Sequence, residues 1–157
     1  MLRREKLIAV ISSGDLHFRN GEGYELVITD GRIVGAPRAA ALGVPDPFLW
    51  SAEGSSEEER VAAEKAASVI IGRKQFDLSK DSVFKILYES PGIFFGGRVV
   101  FGVVGEEVQL DISSVSVWSP GGVMTQRRLV DSLLVFAPDR LYDEKTGAMI
   151  KDENLRP

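Results

Sequence analysis

The chain has 157 residues, 44% apolar and 27% charged, with 19 basic against 23 acidic side chains and a formal net charge of −4. That composition excludes a disordered chain, and the length suits one domain able to bury a sizeable core. The absence of cysteine excludes disulfides, thiolate metal sites and cysteine nucleophiles, and a single histidine excludes any site that needs two from one chain.

No apolar run approaches the ~18–20 residues of a membrane helix. The charged start Met1–Lys6 is followed by no signal-peptide core and cleavage site, so a cytoplasmic location is expected. The sequence pI of about 5.1 and scattered basic residues argue against nucleic acid. No basic amphipathic helix points to a membrane surface.

In chain order, Leu7–Ile11 is a short β-branched run ended by Ser12-Ser13-Gly14-Asp15, which predicts a buried strand. Leu16–Arg19 alternates, Asn20–Gly23 is a turn, and Asp30-Gly31 sits between alternating runs, so the first 35 residues read as an antiparallel meander. Residues 36–55 carry Pro37, Pro45 and Pro47 together with Leu42, Val44, Phe48, Leu49 and Trp50. This predicts a long apolar loop that packs on the core, lines a pocket or faces a second subunit.

Ser56-Glu57-Glu58-Glu59 fits a capping box, and the apolar spacing behind it predicts a helix to about Arg73. Gly72 suits the left-handed end. Ala62, Ala66, Val69 and Ile70 fall on one face, widened by Ala63, Ala67 and Ile71, and this alanine-rich stripe suits close packing on the concave face of a curved sheet. Residues 80–89 fit either helix or strand. Ile93–Val104 reads as a strand buried on both faces. Val108–Ile112 and Val115–Val117 alternate on opposite parities, which predicts a bulge or bend at Ser113-Ser114. Residues 125–137 fit both periodicities, and neighbouring turns favour a strand. Residues 140–150 read as a terminal hairpin and 152–157 as a mobile tail.

The fold expected is therefore α+β in a single domain, 1–157, with a mainly antiparallel curved sheet on one principal alanine-rich helix. Two resemblances accompany this reading. Tyr24–Val34 resembles the opening hairpin of amidohydrolases, but the metal-binding His-x-His is absent, so it is read as generic hairpin chemistry. The order of elements over residues 50–137 resembles the hotdog fold of thioesterases and acyl dehydratases. That likeness implies a dimer with an acyl-thioester tunnel and Glu57 or Glu58 as catalytic residues; fold alone does not carry the function.

Three groups are candidates for chemistry. In an extended strand Asp15, His17 and Arg19 share a face, giving a base, an orienting carboxylate and a cation. Ser119–Arg128 offers Gly121, Gly122, Thr125, Arg127 and Arg128 for a phosphate or carboxylate, without a Walker or dinucleotide pattern. Asp131 lies among apolar residues, where a carboxyl can serve as acid or base. Trp50 is a further candidate ligand contact. Together these predict a homodimer that binds a small anionic or acyl ligand, with no metal and no cofactor. The alternatives are a metal-independent enzyme of thioester hydrolase or dehydratase type, using His17 or a carboxylate, and a protein-interaction module presenting Phe48, Leu49 and Trp50.

Overall fold

The computed structural model describes residues 5–19, 21–38, 44–114 and 120–151. The expected tail at 152–157, the strand at 115–117, Trp118, Ser119 and Leu42 lie outside the described residues.

Strands β1 (Leu7–Ser13), β3 (Tyr24–Thr29), β4 (Arg32–Pro37), β5 (Phe48–Ser51) and β6 (Phe76–Ser79) form one antiparallel sheet in the order β5-β1-β3-β4-β6. A second sheet has the order β10-β7-β8-β9-β2, from β2 (Leu16–His17), β7 (Val83–Glu89), β8 (Gly97–Val103), β9 (Glu106–Ile112) and β10 (Leu141–Asp143). Among the described residues only the β10–β7 pair is parallel. Two α-helices stand among the described residues, α1 (Glu57–Gly72) and α2 (Pro120–Phe136). The α+β class and the mainly antiparallel pairing agree with the sequence. The single sheet and single principal helix do not: the described residues form two of each, and the sheets do not close into a barrel. None of the described helices is long and apolar enough to cross a membrane.

The first sheet is covered on both faces, which is why β1 and β3 are buried along their whole length. On one face Val10, Val27, Val34 and Trp50 pack against Ala63, Ala67, Ile70 and Ile71 of α1, whose alanines let the helix approach closely. On the other face Ala9, Ile11, Leu26, Ile28 and Ile33 meet Ile86, Val99, Phe101 and Leu110 of the second sheet. Leu129, Leu133 and Phe136 of α2 join this core.

Ser56 caps α1 as expected: its hydroxyl accepts from the Glu59 amide at 3.2 Å and donates to the Glu59 carboxylate at 3.0 Å. Gly72 does not take the left-handed position. It is the last helical residue, and Arg73 ends the helix at φ −119°, donating its N–H to the carbonyls of Ile70 and Ile71.

Residues 120–136 are helix, not strand. Leu129, Val130, Leu133 and Phe136 are buried while Met124, Asp131 and Val135 are exposed. That spacing serves one face of a helix, whereas a strand would alternate. The ambiguous stretch 80–89 divides into a 3₁₀ turn, Lys80–Ser82, and β7. The long apolar connection is shorter than expected, because β4 runs to Pro37 and β5 begins at Phe48. A register shift is present in β1 between Leu7 and Ala9; β9 pairs regularly to Ile112 and ends there. The 140–150 stretch is reduced to β10 and one bridge, Tyr142 to Met149.

The expected strand 93–104 begins only at Gly97. Ile93, Phe94 and Phe95 sit in the β7–β8 connection, where the Gly92 amide donates to the Phe95 carbonyl at 2.8 Å. A Cβ on Gly97 would lie 2.2 Å from the Glu89 carbonyl oxygen, so only glycine fits where the ladder starts.

Candidate functional site

The first sheet passes to the second at Gly14-Asp15, between the end of β1 and β2. Ser13 belongs to one sheet, and three residues later Leu16 pairs with Ile112 of the other. Asp15 is fastened by its backbone: its amide donates to the Ser13 hydroxyl at 3.0 Å, and its carbonyl accepts from the Ser113 amide at 2.9 Å.

β2 ends at His17. Arg19 has φ +54°, uncommon for a residue with a side chain, and the Gly21 amide closes the turn onto the Phe18 carbonyl at 3.1 Å. The extended geometry that would align residues 15, 17 and 19 therefore stops after two residues. The Arg19 guanidinium lies 4.8 Å from the centre of the Phe18 ring. The Asp15 carboxylate stands against the first turn of α2, 3.8 Å from where a Cβ of Gly122 would be.

His17 has both ring nitrogens engaged. Nδ1 lies 3.0 Å from the Gly21 carbonyl oxygen, which can only accept, so Nδ1 carries a hydrogen. In the neutral ring Nε2 then accepts from the Ser113 hydroxyl at 2.8 Å. His17 is oriented by Ser113 and Gly21 rather than by Asp15.

Beside it is a solvent-open cleft of about 360 Å³, lined by Gly14, His17, Glu22, Gly23, Arg38 and Asp46. Asp46 reaches in from the connection between β4 and β5 and accepts from the Gly14 amide at 2.8 Å. Arg38, just beyond β4, donates from Nη2 to the Val44 carbonyl at 3.1 Å. Its Nε is buried and has no hydrogen-bond partner among the described residues. The aliphatic part of Arg38 packs on Gly23, and its amide donates to the Gly23 carbonyl at 3.3 Å. The cleft thus gathers one guanidinium, one oriented imidazole and two carboxylates from two connections and β2.

The glycine–arginine group does not form an open loop. Gly121 and Gly122 are in the first turn of α2, and Thr125 is buried with its hydroxyl 3.0 Å from that of Ser13. Arg127 is exposed, while Arg128 turns back to the Ser51 hydroxyl. Asp131 is on the exposed side of α2, and the buried Ser132 hydroxyl donates to the Arg128 carbonyl at 2.6 Å. Trp50 belongs to the α1 core and is 4% exposed, so it offers no surface to a ligand there.

Of the sequence candidates, His17 alone lines the cleft. Arg38, Asp46, Glu22 and Ser113 were missed. The proline-punctuated stretch around Asp46-Pro47 was the one signal, read for its apolar residues and not its charged ones. No protein-family model matches the chain, and no curated protein or solved structure is significantly similar to it.

Proposed function

We propose that this protein binds a small polar anion, a molecule bearing a carboxylate or phosphate, in the cleft between the β1–β2 crossing and the β4–β5 connection. The observation that carries the reading is the Nε of Arg38, a residue that lines the cleft: this Nε is buried and has no partner among the described residues. A buried N–H left unpaired is costly, and a guanidinium presents a planar fork of donors that matches carboxylate and phosphate oxygens. Glu22 and Asp46 on the opposite charge favour a ligand that also carries a donor, such as a hydroxyl or an amine. His17, held by Ser113 and Gly21, serves as an oriented wall.

The acyl-thioester alternative gains no support from this cleft, since Glu57 and Glu58 are exposed at the start of α1 on the outer layer.

The test is a thermal-shift series with carboxylates, phosphates and hydroxy or amino acids, run on the parent protein and on Arg38→Ala. Anions should raise the melting temperature of the parent, and Arg38→Ala should lose that rise, with Arg38→Lys keeping part of it. Equal shifts in parent and variant, or none for any anion, would rule out the Arg38 cleft as the site.

A further inference from the structure

The second sheet carries two exposed apolar features at opposite ends of one hairpin. At the β7–β8 turn Ile93, Phe94 and Phe95 are 70%, 87% and 77% exposed, three consecutive large side chains on a closed turn. At the other end, on the face turned away from the core, is a groove of about 380 Å³ bordered by Phe84, Leu87, Val100, Val103 and Gly102. Phe84 is 62% exposed, and Val104 beside the groove is 89% exposed. Seven residues of β7 separate the two, roughly 20 Å at strand rise. Exposed apolar clusters of this kind mark interaction surfaces more often than chance.

We infer that the second sheet's outer face is a homodimer interface in which the Ile93–Phe95 turn of each copy seats in the Phe84–Val103 groove of the other. One chain supplies both the projection and the groove, at opposite ends of a single hairpin. A two-fold axis across the middle of that hairpin satisfies both contacts at once, as an isologous interface requires. The charges on the face agree with this pairing. Lys85, beside the groove and 5.2 Å from the Tyr142 ring centre, comes opposite the partner's turn end, where Glu89 and Glu144 flank Arg98 and leave a net negative charge. Such complementarity fixes the register of an interface. The inference is independent of the Arg38 cleft, which lies at the β1–β2 crossing.

Light scattering and native mass spectrometry of the full chain over a concentration series supply the test. A dimer is expected, and Phe94→Asp should raise its dissociation constant by roughly 30-fold or more, as for a central aromatic anchor. Phe94 lies in a connecting turn, and an unchanged circular dichroism spectrum verifies the fold of the variant. The chain has no cysteine of its own, so Phe94→Cys and Val104→Cys can be oxidised alone and as a mixture. Cross-linking in the mixture alone supports turn-in-groove pairing. A cross-link formed by Phe94→Cys alone would mean turn-to-turn contact and overturn it. A monomer at every concentration would also overturn it, and a monomer that sediments with phosphatidylcholine vesicles, but not as Phe94→Asp, would reassign the turn to a lipid surface.

Discussion

The hydroxyls of Ser13 and Thr125 lie 3.0 Å apart, both fully buried, and tie the last residue of β1 to the first turns of α2 across 112 positions of sequence. Ser13 also accepts from the Asp15 amide, so this hydroxyl organises the crossing between the sheets as well. A double-mutant cycle of Ser13→Ala and Thr125→Val, read by urea unfolding, should give a coupling energy of about 1 kcal/mol. Strict additivity would mean that the pair contributes nothing of its own.

Gly35 in β4 lies under an aromatic cluster. A Cβ there would come within 2.3 Å of the Phe76 ring and 2.7 Å of the Tyr24 ring. Phe18, Tyr24 and Phe76 pack on one another with ring centres 5.3 to 6.0 Å apart, so none can yield alone. Gly35→Ala should cost about 1–3 kcal/mol, the scale of overpacking, and Phe76→Leu should restore part of it. A variant with the parent's unfolding midpoint would contradict this packing.

Trp50 separates a structural from a functional role. Buried against α1, Trp50→Ala should destabilise the fold by about 3–5 kcal/mol. Trp50→Phe should leave both subunit number and anion response unchanged. A change of subunit number in Trp50→Phe would restore Trp50 as a contact residue.

Glu144 gives the acid limb of stability a specific origin. Arg98 donates to its carboxylate from Nε at 2.8 Å and from a second guanidinium nitrogen. These hydrogen bonds, opposed by partial desolvation and aided by the charge, hold the Glu144 carboxyl below the usual carboxylate range. The unfolded chain therefore binds the proton more readily than the folded one. Stability from this pair is complete above the unfolded value of about 4.3 and is lost as pH falls through the lower folded value. With Arg98 41% exposed, solvent screening limits the effect to under about 1 kcal/mol. In urea titrations taken into acid, Arg98→Gln should flatten this limb, and added salt should do the same to the parent. Identical acid limbs in parent and variant would dissociate Glu144 from the effect.

Part of the site was legible in the sequence and part was not. His17 was visible because it is the sole histidine beside a turn. Its partner Ser113 lies 96 positions away, and Asp46 is 32 positions from the Gly14 amide it accepts from. No local pattern carries such pairings. The Asp15–His17–Arg19 face was a reasonable product of alternation. It dissolved because the backbone turns at Arg19, which periodicity cannot register.

The sequence by itself determined what depends on neighbours within a turn or a strand. The capping box of α1 and the alternation of β9 are of this kind. So is the Asp30-Gly31 hairpin, where β3 and β4 pair as expected. Tertiary structure decided whatever local chemistry left balanced. Residues 125–137 suited helix and strand alike, and the shared core took the helical face of Leu129, Leu133 and Phe136. Ile93–Phe95 are as apolar as any core strand, yet they stand exposed in the connection before β8, which begins at Gly97. For the helix the deciding interactions are with residues far away in the chain, and burial is fixed only when those surfaces meet.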